Sequence, residues 1–139
     1  MNKKMLIIII AVVLVVVIGA GAAVFLLTRT PTEKPIVYFV YTFDEEYSNL
    51  LDENSGKIVK YQVTIEYTDE TMLAVFDTNK IKLRNNIDEI MRATLSTDIE
   101  KANGKQKLRD RIKDMVIELL ESDEEVITNI YIQPFVIQG

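Results

Sequence analysis

Twenty-three consecutive residues without a charge, "MLIIIIAVVLVVVIGAGAAVFLL" from Met5 to Leu27, constrain this chain more than any other stretch. At 1.5 Å per residue they form a helix of roughly 34 Å, long enough to cross a bilayer. A cleaved signal peptide is the competing reading, because Lys3 and Lys4 make a basic start and Ala20-Gly21-Ala22 resembles a small-residue cleavage site. The apolar run continues past that site through Val24-Phe25-Leu26-Leu27, longer than the signal-peptide norm of about 7–15 residues, and favours a retained anchor. A core helix fits less well still, because the remaining sequence is too small to enclose it. Gly19 and Ala23, four apart, leave room for a second helix to approach, a weak signal of self-association in so apolar a segment.

Basic residues orient the span. Lys3 and Lys4 precede it, while Glu33 dilutes Arg29 and Lys34 after it, so the amino end is expected in the cytoplasm and the rest outside. The expected organisation is a cytoplasmic tail over 1–4, a membrane helix over 5–27, a linker over 28–35 and an outer domain over 36–139. The linker "TRTPTEKP" carries Pro31 and Pro35 and spans at most about 25 Å, which would hold the domain near the membrane.

With Lys3 and Lys4 set aside, 14 basic residues face all 21 acidic ones, a formal charge of −7 beyond the span. Such a surface repels phosphate backbones and anionic headgroups, which argues against nucleic-acid binding. With no cysteine, the chain has no disulfide, thiol nucleophile or thiolate metal site; with no histidine, it lacks the commonest general base and metal ligand. No cofactor or metal is implied.

Along the outer domain, "IVYFVYTF" from Ile36 predicts an extended segment, and "DEEYSNLLDENSG" an acidic break with a turn over Asp52 to Gly56. In "KIVKYQVTIEY", Val59, Tyr61, Val63, Ile65 and Tyr67 alternate with Ile58, Lys60, Gln62, Thr64 and Glu66, predicting a strand with one buried face. Leu73, Phe76, Leu83, Ile87, Ile90, Met91 and Leu95 recur at helical steps, predicting a helix over Thr71 to Leu95 with a break near Asn79. After "STDIEKANG" a second helix is expected, with Asn103 as N-cap and Leu108, Ile112, Met115, Val116, Leu119 and Leu120 as its apolar stripe. Two such helices cover only one sheet face.

The last run, "VITNIYIQPFVIQG", predicts a strand that is apolar on both sides and ties the terminus into a sheet. Strict alternation puts Ile127, Tyr131, Phe135 and Ile137 on one side and Val126, Ile130, Ile132 and Val136 on the other, so one side would meet another subunit or a second layer. Pro134 cannot donate a ladder hydrogen bond and is expected at a bulge or an outward-facing edge position.

The remaining motifs have bland readings that outweigh chemical ones. Asp44-Glu45-Glu46 and Asp123-Glu124-Glu125 could in principle serve acid/base chemistry, but adjacent acids in a turn do not specify two groups flanking a scissile bond, and solvated charge is the better reading. "DENSG" is no calcium loop of the helix–loop–helix type, because Val63 stands where the bidentate Glu belongs. Lys101, Lys105, Lys107, Arg109, Arg111 and Lys113 form a basic run interleaved with Asp110 and Asp114. A mixed-charge exposed helix face is the first reading, and contact with the acidic side of a neighbouring copy or partner the second.

Taken in order, these features resemble the flagellar basal body-associated protein FliL family. "YSNLLDENSGKIVKYQVTIEY" is similar to the family's Asn-Leu segment leading into its first long strand. "LRNNIDEIMRATLSTDIEKANGKQKLRDRI" is similar to its helix, Leu-Ser break, Gly-Lys and Leu-Arg pattern, and "IYIQPFVIQ" to its aromatic and Phe-Val-Ile-Gln ending. Pro134 departs from the polar or acidic residue of many relatives, and "TMLAVFDTNK" is not distinctive.

The resemblance implies an α+β outer domain of the stomatin/prohibitin-like (SPFH-like) type, with a few-stranded sheet and two main helices. It implies a non-enzymatic protein of the inner or plasma membrane at the flagellar basal body, forming a homo-oligomeric ring around or beside the stator units and supporting rotation and swarming motility. Ile36, Phe39, Lys105, Arg109, Ile130, Ile132 and Phe135 are the expected subunit or partner contacts, and Met5, Gly19, Ala23 and Leu27 mark the membrane span. The rival class is an anchored cell-envelope enzyme or sensor; a hydrolase would need a groove with convergent acids, and the absence of histidine and cysteine weighs against it.

Overall fold

The computed structural model describes residues 2–29, 33–53 and 56–139, in two compact units, Met1–Pro35 and Ile36–Gly139. The first unit is a single helix, α1 (Lys3–Thr28), with every side chain exposed along its length. It is a candidate membrane span, about 39 Å long at 1.5 Å per residue. Thr28 closes it by donating its hydroxyl to the Val24 carbonyl at 2.7 Å. Part of the expected linker, 30–32, lies outside the described residues.

The second unit is α+β, an antiparallel sheet with helices on one face. Its strands are β1 (Phe39–Thr42), β2 (Glu46–Asn49), β3 (Ile58–Tyr67) and β4 (Ile127–Gln138), and its helices are α2 (Met72–Arg92), α3 (Ser96–Glu100) and α4 (Gly104–Leu120). Strand β3 is central. Its alternation predicts one buried face, and Val59, Tyr61, Val63, Ile65 and Tyr67 are all buried. β4 pairs along its whole length on one side, while β1 and β2 share the other, β1 against Thr64–Tyr67 and β2 against Ile58–Tyr61. Strand β2 was not expected: its Glu46 and Tyr47 read as part of an acidic break. The side chains explain it, because Lys60 pairs with Glu45 at 2.7 Å and Arg84 of α2 pairs with Glu46, neutralising that break.

Two register shifts correct the expectation for β4. Thr128 is an extra residue between the pairs Tyr67–Ile127 and Glu66–Asn129; Gln133 and Pro134 together face Gln62, between Val63–Ile132 and Tyr61–Phe135. Each bulge switches which side the following residues face. The core-facing set is therefore Ile127, Ile130, Ile132, Phe135 and Ile137, all facing buried residues of β3, and Pro134 does mark a bulge. The opposite side carries Asn129, Tyr131, Gln133 and Val136, a mixed surface in which Tyr131 bonds Glu66 through its hydroxyl.

Helix α2 runs unbroken past Asn79, whose side chain bonds the Val75 carbonyl within the helix instead of interrupting it. It stops at Arg92 rather than Leu95. The segment read as a break then holds the short helix α3, with Leu95 just before it. Asn103 does precede α4, without a side-chain capping bond. What fixes the corner is Gly104: a Cβ there would lie 2.1 Å from the Asp98 carbonyl oxygen.

Phe76, Leu83 and Met91 of α2 and Leu108, Ile112 and Val116 of α4 close the core over the sheet. At one end it is aromatic, with Tyr41, Phe43, Tyr67 and Phe76 at centroid distances of 5.0–5.2 Å. Burial, and then the hydrogen bond from its hydroxyl to Asp77 at 2.9 Å, push Tyr41 up to about 12.

Candidate functional site

Antiparallel connections give the outer domain two distinct ends. α2 runs back along β3, α4 returns, and β4 runs back once more. One end thus gathers the C-terminal ends of β3 and α4 with the start of β4. The other gathers the starts of β3 and α4 with the end of β4.

The first end is acidic. Glu121, Asp123, Glu124 and Glu125, between α4 and β4, are all exposed. Asp123 organises this turn by accepting the backbone N–H groups of Glu125 and Val126, both at 2.9 Å. Thr68, just beyond β3, ties the turn to the sheet by donating its hydroxyl to the Glu125 carbonyl and its N–H to that of Val126. Because Phe39 pairs with Tyr67, the residues before it extend past this end: Ile36, Val37 and Tyr38 are 66%, 58% and 57% exposed.

The second end is mixed in charge, with Asp98 pairing with Lys101 at 2.6 Å and Glu100 exposed beside them. Lys101, Lys105 and Lys107 stand exposed at or just before the first turns of α4, with Arg109 half-buried a turn further. A groove of about 530 Å³ opens here, lined by the apolar side chains of Ile99, Phe135 and Ile137 and by Glu100, Lys101 and Lys105. The Lys105 ammonium lies 5.6 Å from the Phe135 ring, within cation–π reach.

The charges on α4 run against its own dipole. Its first turn holds no acidic residue and its last no basic one. Each charge so placed costs about 0.3–1 kcal/mol at low salt relative to the reverse arrangement. Glu121 adds to this by ending the helix in the left-handed region (φ 51°), where glycine is usual.

Beside this second end, Asp52 accepts the Ser96 backbone N–H at 2.9 Å and its hydroxyl at 2.7 Å, and Lys57 donates to the same hydroxyl at 2.8 Å. Ser96 is 0% exposed, so this trio is a clasp between the β2–β3 loop and α3 with no opening for a substrate. The Ser96 bonds, with Lys57 nearby, hold the Asp52 carboxyl below its usual range. The acids of 44–46 are likewise engaged, Asp44 with Lys80 at 3.7 Å beside the pairs already described.

A family model described as flagellar basal body-associated protein FliL matches residues 40–138. The chain belongs to the FliL family. No curated protein matches closely enough to add a relative to that assignment. This family makes the chain a flagellar basal-body-associated protein, of an accessory rather than a known enzymatic kind, with α1 as its candidate membrane span.

Within the FliL domain, the structure brings Lys105, Arg109, Ile132 and Phe135 together where α4 crosses β4. Ile130 does not join them. It is 1% exposed and enclosed by the domain's own core, so it offers no surface to another subunit. Phe39 stacks on Tyr67 at 5.6 Å, and with Ile36 it lies across β3 from β4, on a separate edge. Ile99 and the acidic turn were not among the expected contacts. The opposition of charge and dipole along α4 is a signal that could have drawn attention to that turn.

Proposed function

We propose that this FliL-family chain is a membrane-anchored accessory of the flagellar motor, with its amino end in the cytoplasm and its domain over 36–139 outside. In this reading copies assemble side by side next to the stator units and support rotation under load. The domain would have the SPFH-like type of fold, used as a rigid building block. The observation that carries the reading is the family match over 40–138 in a chain that also bears a helix long and apolar enough to span a bilayer. Between the two stand eleven residues, 29–39, so the chain limits how far the domain can move from the membrane surface.

The test uses the absence of cysteine. Lys34→Cys in the native host supplies one thiol for a short thiol–amine cross-linker. Capture of the chain's own copies together with stator proteins is the expected result. Capture of neither, with normal swimming in viscous medium after deletion, would remove this function.

A further inference from the structure

We propose that Ile36, Val37 and Tyr38, with Val40 beside them, form a second membrane contact, seated in the interfacial layer of a lipid surface. This rests on the anchored reading above and adds to it a lipid-binding patch on the outer domain itself. Pro35 to Phe43 is a run of nine residues without a charge, in a chain where 27% of residues carry one. Folding divides that run in two. Phe39 stacks half-buried on Tyr67, and Tyr41 and Phe43 are buried in the core. Ile36, Val37, Tyr38 and Val40 are left 57–66% exposed. Val40 stands on the sheet face opposite the helices, paired with Glu66, whose carboxylate already accepts the Thr128 and Tyr131 hydroxyls.

Exposed apolar side chains grouped in this way favour a partner that removes them from water. The preceding chain selects which partner. Helix α1 ends at Thr28, and the seven residues 29–35 that separate it from Ile36 reach about 25 Å at most. With α1 in a bilayer, a lipid surface is therefore always within reach of Ile36, at the high effective concentration that a short tether confers. Tyr38 suits such a layer, because its ring lies against acyl chains while its hydroxyl stays in the wet headgroup region. Glu121, Asp123, Glu124 and Glu125 at the same end repel anionic headgroups, so apolar burial and not charge drives the contact, and it stays shallow.

The chain contains no tryptophan, so one introduced at a chosen position reports its own surroundings. Full-length chains carrying Val37→Trp, Ile81→Trp or Leu14→Trp are reconstituted in phosphatidylcholine vesicles whose acyl chains are brominated either near the headgroup or near the tail. Val37→Trp is expected to emit at shorter wavelength than Ile81→Trp and to be quenched more by the shallow bromines than by the deep ones. Ile81, 75% exposed on α2, is expected to stay unquenched when replaced. Leu14→Trp is expected to be quenched by the deep bromines, as a span requires. Red-shifted, unquenched emission from Val37→Trp beside a quenched Leu14→Trp would overturn the lipid contact and leave the anchor standing. Blue-shifted but unquenched emission from Val37→Trp would mean that protein covers the segment, a second copy included, and would equally overturn it. An unquenched Leu14→Trp would overturn the anchor and, with it, the contact. Ile36→Asp with Tyr38→Asp in the Val37→Trp chain tests the native side chains: quenching is expected to fall to the level of Ile81→Trp. Unchanged quenching would show that the introduced indole inserts by itself, against the proposal.

Discussion

Gly104 packs its backbone against α3 so closely that a methyl group has no room beside the Asp98 carbonyl. Because the obstacle is backbone, Gly104→Ala is expected to cost about 3 kcal/mol, read by urea denaturation in micelles with tyrosine fluorescence. Ile130→Asp buries an unpaired carboxylate among β-sheet and helix side chains and is expected to abolish the cooperative transition rather than merely dissociate an assembly. Asp52 gives a pH signature. Its carboxyl is lowered from the ordinary 3.8 by the bonds from Ser96, so the clasp's contribution is full above that value and is lost as pH falls through the lower folded value. Asp52→Asn should therefore be less stable than the unsubstituted protein at neutral pH, with the gap closing in strong acid. None of these three roles is visible locally. Gly104 stands within a Gly-Lys pair that carries the family resemblance, but the demand for glycine comes from a tertiary contact. Asp52 reads as a turn residue until its partner 44 positions away is known.

At the scale of elements, alternation predicts β3 correctly because no bulge interrupts its own count, and it misassigns the sides of β4 because two do. Pro134 announces the second bulge, since it has no N–H to donate, whereas Thr128 announces nothing. The helical stripes place α2 and α4, yet Asn79 as a breaker and Leu95 as a stripe member both fail: a side chain can bond within its own helix, and α2 ends three residues earlier. The end of helix α4 yields a prediction about stability. Glu121→Gly relieves a left-handed residue and should stabilise the domain by about 1 kcal/mol while removing a charge from the acidic end. Urea denaturation of this variant checks it, with a higher midpoint expected.

For the whole molecule, the long apolar run and the order of segments were legible from the sequence, and they give the candidate span and the family. The groove beside the start of α4 was not. It arises when α2, α4 and β4 each reverse direction, bringing Lys101 and Ile137, distant in sequence, to one groove. The most direct measurement is to follow the fluorescently tagged full-length chain in swimming cells with and without the stator proteins. The proposed role requires foci at flagellar bases that disperse when the stators are removed, along with impaired swimming in viscous medium when the chain itself is deleted. An even membrane distribution with stators present, and unimpaired swimming under load without the chain, would contradict it.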